Sequence, residues 1–322
     1  MGFESVRAAS VFATGQERSL SFHSLAQQAQ MTHNNALGGT ADSASSATAL
    51  ATGVKVGNGV ISLALPGDGR ILPTVLEFFQ ARGKRTGMVT TSYIEDATPA
   101  AFSAHEPSRS LIANIAQDIL QQSRPHLLMG ARQVGGISPA AATSAGYTVV
   151  QNRHEMTALD PDEAAPVAGL FGVGILPFEF DGDFSTTPDL SEMTVKALDI
   201  LDADPDGFFL LIENENIDES GHRHEIERHV AATVELHETL QEVLDWAGDR
   251  TDTLIVVTSD HETGGLSIEK LQGQGQFPIV KWATDYHTQT PVPIYASGPL
   301  SDQFVGTLDN TDLFPILTGQ SP

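Results

Sequence analysis

Two clusters of metal-type side chains mark this chain. In Glu213-Asn-Glu-Asn-Ile-Asp218-Glu-Ser-Gly-His222, a carboxylate and an imidazole stand four residues apart. That spacing puts Asp218 and His222 on one side of a helical turn. Asp260-His261 forms the second cluster, after a second apolar run. Carboxylate oxygens with imidazole nitrogens suit zinc better than calcium or magnesium, whereas Glu213, an oxygen ligand only, suits a hard ion such as Mg²⁺. A zinc held by Asp218 and His222 needs a third protein ligand, and His287 stands in a loop just before an apolar strand. An Asp or His after a strand is often only a cap or turn former. Asp218, His222, Asp260 and His261 together, all at strand ends, favour metal binding over that bland reading. His224, His229 and His237 are read as solvated positions with no role.

A nucleophile is the other half of such a site. Asp42-Ser43 precedes a run of small residues ending at Gly53, which places the Ser43 hydroxyl at a helix N-terminus. Unpaired N–H groups and the helix dipole there stabilise a serine alkoxide or a bound phosphate. Taken alone, the pattern more often marks an ordinary N-cap, by roughly three to one. Asp96-Ala-Thr98-Pro, with Arg109 thirteen residues after Asp96, adds a carboxylate, a hydroxyl and a planar guanidinium fork able to grip two phosphate oxygens.

Strands and helices alternate along the chain, as a mostly parallel sheet covered on both faces requires. The expected fold is α/β, a three-layer αβα sandwich over residues 1–322 as one domain. Helices are expected over 71–82 (Ile71, Val75, Leu76 and Phe79 inward), 111–122, 190–201 and 226–246. Short strands are expected at 86–91 and 126–129. The apolar runs 207–213 and 253–258 read as central strands, and 291–296 as a strand near an edge because of its prolines. Residues 135–188 read as an irregular insert with one strand at 147–150. In open α/β sheets, ligands bind beyond the carboxyl ends of the strands, so both clusters point into one crevice.

Acids outnumber bases 41 to 17, and the formal charge of −24 argues against nucleic acid or anionic membrane as partners. A phosphate site must then carry its own local positive charge, and metal ions are the obvious source. Such a surface suits a salty medium, so the unfolding midpoint is expected to rise with added salt. No apolar run reaches membrane-span length. The absence of cysteine excludes disulfides, thiolate metal sites and cysteine nucleophiles. The first ten residues show neither a charged nor an apolar leader segment.

In these motifs the chain resembles the alkaline phosphatases, from Met1 to about Leu317. The matching residues are Asp42-Ser43-Ala44 with Thr52-Gly-Val-Lys55, Asp96-Ala-Thr98-Pro with Arg109, Glu213…Asp218…His222, Thr258-Ser-Asp260-His261 and His287-Thr. The resemblance implies that Ser43 is the nucleophile and becomes a phosphoserine. It implies that Asp218, His222 and His287 hold one zinc, that Asp260 and His261 hold a second beside Ser43, and that Thr98 and Glu213 belong to a magnesium site. Arg109 would clamp phosphate, supported by Asp42. One zinc would lower the serine pKa while the other stabilises the leaving alkoxide and later delivers hydroxide. Substrates would be small phosphate monoesters, the protein a monomer or homodimer, and the compartment periplasmic or extracellular.

Two departures qualify the resemblance. Met1-Gly2 looks like the tail of the family's Gly-Asp-Gly-Met-Gly turn, so the N-terminal strand and a metal-bridging Asp are expected to be missing. The chain as written is therefore expected to fold poorly and turn over weakly, and an N-terminal extension to rescue it. Acids at Asp96 and Glu219, positions that vary in the family, are expected to weaken product phosphate binding. The competing readings are a phosphodiesterase of the wider superfamily, or a weakly active or inactive form that binds metal and phosphate.

Overall fold

The computed structural model describes residues 1–161, 165–182 and 184–320. Five parallel strands form one sheet in the order β4-β5-β3-β2-β6: β2 is Arg85–Tyr93, β3 Leu127–Arg132, β4 Thr148–Val150, β5 Val167–Val173 and β6 Phe208–Glu213. A second, mixed sheet runs β13-β1-β12-β7, with β1 at Gln27–Thr32, β7 at Ile255–Val257, β12 at Val292–Ser297 and β13 at Thr307–Asp309. Two small pairs complete the strands: β8 (Glu262–Thr263) with β11 (His287–Thr288), and β9 (Ser267–Lys270) with β10 (Ile279–Lys281).

Helices cover both faces. One face is packed by α2 (Ser43–Thr52), α3 (Val75–Gln80), α4 (Ala97–Ser103), α5 (Ile112–Asp118), α6 (Pro139–Ser144) and α11 (Leu313–Thr318). The other is packed by α1 (Phe3–Thr14), α7 (Arg153–Thr157), α8 (Leu190–Asp202), α9 (Asn216–His222) and α10 (Ile226–Ala247). Strand alternation feeds both cores at once. Met88 and Leu128 enter the first, while Val89, Leu127 and Met129 enter the second. The architecture is α/β with helices on both sides of a mostly parallel sheet.

The sequence patterns needed four corrections. Residues 135–188 are not irregular: they supply α6, β4, α7 and β5, and β5 pairs on both sides inside the parallel sheet (162–164 and 183 lie outside the described residues). Its Val167-Ala-Gly-Leu-Phe-Gly-Val173 carries two glycines that blur the apolar run. The helix expected from residue 71 starts at Val75, because Thr74 and Glu77 make a reciprocal capping box. Ile71 lies outside it and is 58% exposed.

The 291–296 strand is interior, since β12 pairs with both β1 and β7. Pro293 is tolerated because the β7 ladder stops at Val257; beyond it the Thr258 hydroxyl donates to the Pro293 carbonyl at 3.0 Å. The runs read as central strands each pair on one side among the described residues, β6 with β2 and β7 with β12. Both faces of each still enter apolar clusters, which explains the unbroken apolar runs.

Candidate active site

Helix α2 begins where expected. Asp42 is its N-cap and accepts from the Ser45 amide at 2.9 Å, and Gly53 closes it at φ 74°. All ten of its residues are buried, because alanine, serine and threonine let the helix sit between neighbours. Ser43, at the first position, puts Oγ 3.1 Å from His261 Nε2.

His261 Nε2 also lies 3.0 Å from Asp260 Oδ2, so a hydroxyl, an imidazole nitrogen and a carboxylate oxygen converge beyond the end of β7. Burial acts to raise the Asp260 pKa, but the neighbouring His261 outweighs it and the carboxylate falls to about 2.

The first cluster forms on α9. Asp218 Oδ2 and His222 Nε2 are 3.1 Å apart across one helical turn. His287 joins them because β11 pairs with β8, placing His287 opposite Thr263, whose hydroxyl bonds Asp218. His222 Nε2 and His287 Nε2 are then 3.0 Å apart, and ligand atoms of Asp218, His222 and His287 all lie within 4.8 Å of one another. Each distal ring nitrogen is held by a backbone carbonyl: His222 Nδ1 faces Asp285 O at 2.6 Å and His287 Nδ1 faces Ala41 O at 3.1 Å. Carbonyls on both outer nitrogens aim the inner pair at one point, where each would offer a lone pair to a metal that displaces the His222 proton.

The electrostatics describe the same centre. The bond to Asp218 lifts His222 to about 9, whereas burial and the charge of His261 depress His287 to about 4. Burial opposes ionisation of Asp218, but His222, His261 and His287 together hold it well below the usual carboxylate range. At the end of β6, burial pushes Glu213 up to about 7, moderated by hydroxyl bonds from Thr90 (2.6 Å) and Thr98. Thr98 and Glu213 therefore meet, an all-oxygen pair of the kind a hard cation takes.

Arg109 reaches the crevice from the loop after α4. Its Nη2 donates to Asp96 Oδ1 at 2.7 Å and Nη1 lies 3.7 Å from Asp42 Oδ2. The closer support is thus Asp96, which also caps α4 and accepts from Ser92 Oγ at 2.6 Å. Ser43, Asp96, Arg109, Asp218, Glu219, His222 and His287 share one crevice of about 190 Å³, together with Tyr93, Ile175 and Glu215. Glu219 is paired with Arg223 at 2.6 Å.

Every residue singled out from the sequence is brought to this region. Glu215 was missed: it lines the crevice, and among the described residues no donor bonds its carboxylate. Burial, with Asp218 and Glu213 nearby, raises it well above the usual range. The repeat Glu213-Asn-Glu215 was its only signal. His229 corrects the reading of solvated histidines. It is 1% exposed, bonds Ser5 Oγ at 2.8 Å and Ile217 O at 3.0 Å, and is driven by burial to about 3, hence neutral. His237 accepts from the Ser21 amide at 2.9 Å.

Comparison with known proteins gives one answer. The alkaline phosphatase family model matches residues 1–130 and 122–281. Alkaline phosphatase 3 of Bacillus subtilis is 30% identical, over 84% of this chain and 75% of its own length. Streptomycin-6-phosphate phosphatase of Streptomyces griseus is 33% identical, over 86% and 77%. The crystal structure of a cold-active alkaline phosphatase from a Shewanella species superposes with a TM-score of 0.89 at 27% identity, covering all of this chain and 97% of that one. Among the described residues no helix is long and apolar enough to cross a membrane. The chain belongs to the alkaline phosphatase family of metal-dependent phosphatases.

Proposed function

We propose that this chain hydrolyses phosphate monoesters through a covalent phosphoserine on Ser43, at a centre for two zinc ions and one magnesium ion. The observation that carries the reading is the placement of Ser43 Oγ 3.1 Å from His261 Nε2, in the same crevice as the Asp218–His222–His287 triad and Arg109. Asp218, His222 and His287 would hold one zinc, Asp260 and His261 the second, and Thr98 with Glu213 the magnesium. When bound, these cations supply the positive charge that a chain of −24 lacks and acidify the serine hydroxyl and water.

The chain's own groups do the rest. Arg109 presents two N–H donors to non-bridging phosphate oxygens, its fork held in plane by Asp96 and Asp42. Ser43 Oγ loses its proton to solvent and attacks phosphorus; the Oγ–P bond forms as the bond to the leaving oxygen breaks, and that oxygen takes a proton from solvent. The N-terminal amides of α2 face the developing negative charge. Water then attacks phosphorus from the vacated side, the Oγ–P bond breaks and Ser43 regains a proton.

Streptomycin-6-phosphate phosphatase acts, as its name says, on one such monoester, and small monoesters are the proposed substrates here. A periplasmic or extracellular site of action accords with the reading. The test is hydrolysis of p-nitrophenyl phosphate against its bis ester, with trapping of labelled phosphate on Ser43. Faster monoester turnover with label released on Ser43 supports the reading. Preferential diester cleavage, or a protein that binds phosphate without labelling Ser43, overturns it.

A further inference from the structure

Ser46 follows Ser43 by one turn of α2, is fully buried, and touches no reacting atom. Its hydroxyl donates to the Asp260 main-chain carbonyl at 2.6 Å and accepts from Asn310 Nδ2 at 3.0 Å. Asn310, also fully buried, opens the 3₁₀ turn Asn310–Asp312. Its Oδ1 accepts from Lys55 Nζ at 3.0 Å, and Lys55 is paired with Asp309 at 3.0 Å. Every donor points the same way, from the Lys55 ammonium through Asn310 and Ser46 to the Asp260 carbonyl. Bonds in series polarise one another at low dielectric, and a charged donor at the head strengthens the chain.

We propose that Lys55, Asn310 and Ser46 form a positioning relay that fixes the Asp260–His261 pair against Ser43 and sets that pair's affinity for a divalent cation. The proposal rests on reading the pair as metal ligands. The strand cannot do this work: β7 ends at Val257, so the main chain at Asp260 lies beyond the ladder. Helix α2 reaches it instead, with side chains from successive turns, beside the Ser259 hydroxyl that donates to the His261 carbonyl at 2.8 Å. Ser46 holds the Asp260 carbonyl while Ser43 Oγ meets His261 Nε2. Nucleophile and ligand pair are thereby referred to one rigid helix. A buried polar chain is costly unless complete, so each link matters to the next.

The test is zinc binding to the chelator-stripped full chain, read by competition with a chromophoric chelator, alongside the thermal midpoint. The zinc phase that survives in His287→Ala identifies the Asp260–His261 site. Ser46→Ala is expected to weaken that phase about tenfold, as loss of a ligand's supporting partner does, with the other phase unmoved. Ser46→Thr, which keeps the hydroxyl, is expected to restore it. Asn310→Ser, which breaks the relay one link earlier and serves should Ser46→Ala not fold, is expected to weaken the same phase by a smaller factor. A fall in the midpoint with both phases unmoved, or both shifted alike, overturns the relay and leaves the metal centre standing. Failure of the unaltered chain to bind zinc overturns both.

Discussion

The two ligand clusters are built by opposite means. Asp260 and His261 are gripped from behind: His261 is 1% exposed, and hydroxyls on α2 meet both residues. Asp218, His222 and His287 sit instead on a seven-residue helix and a two-residue strand, with side chains up to 32% exposed. Within that triad His222 is lifted to about 9 while His287 is depressed to about 4, although their nitrogens are 3.0 Å apart. One pair is shaped by the fold. The other is held largely by contacts among its own three side chains, and it should respond more to metal removal.

The strongest way to break the comparison is to delete the group both clusters serve. Ser43→Ala should lower kcat/KM by about 10³-fold or more while leaving both zinc isotherms in place, since the role proposed for the hydroxyl is that of nucleophile rather than structural ligand. A variant that keeps near-normal p-nitrophenyl phosphate turnover removes Ser43 from the mechanism. His287→Ala separates the clusters next. It should weaken the first zinc beyond the roughly 10–100-fold that losing a mere supporting partner costs, and spare the second. Chelation of the unaltered protein should lower its thermal midpoint, and zinc should restore it. Equal loss at both zinc sites in His287→Ala would erase the distinction between them.

The same contrast explains what could be seen in the sequence. The Asp218–His222 spacing, the Ser43 helix start and the Asp260–His261 pair are local patterns, and each survives as a local pattern in the fold. What positions His287 is not local. It depends on the pairing of β11 with β8, two strands of two residues each, too short to leave any periodicity. Asn310 lies 264 residues from Ser46, and no spacing rule links them. The β5 strand was hidden by its glycines, and His229 by its place on a helix whose polar residues divide between water (Glu227, Glu238, Gln241) and the interior (Thr233, Glu235, Thr239). Glu215 is a polar residue between polar residues, and only its place on the crevice wall distinguishes it.

Support for the first cluster can be probed through pH. Glu235, on α10, accepts from Asn214 Nδ2 at 2.8 Å, and Asn214 stands between Glu213 and Glu215. Burial lifts Glu235 from 4.5 to about 8 despite that bond, with Glu179 and Asp189 adding repulsion. A raised carboxylate keeps its proton in the folded state after the unfolded state has lost it. Its contribution is therefore complete below about pH 4.5 and fades as pH rises to about 8. Glu235→Gln should flatten that decline and be more stable than the parent at pH 9 by roughly 2–4 kcal/mol, read from denaturant midpoints across pH. Parallel curves for the two proteins would show that Glu235 is ionised in the fold.

The smallest expected effect concerns the phosphate side of the crevice, where neither cluster acts directly. Arg109 spends part of its charge on Asp96 at 2.7 Å, and Glu219 adds a second carboxylate to the wall. Both repel a phosphate dianion and should speed its departure. Asp96→Asn should lower the inhibition constant of inorganic phosphate about threefold to tenfold, on the order of 1 kcal/mol for an ion pair whose arginine is part-exposed. Glu219→Gln should do less, because Arg223 already offsets that carboxylate at 2.6 Å. The order of the two variants is the informative part. If Glu219→Gln has the larger effect, product release is governed by the wall next to the first zinc cluster rather than by the arginine's own partner. A rise in the constant for Asp96→Asn would mean that the carboxylate orients the guanidinium more than it competes with phosphate for it.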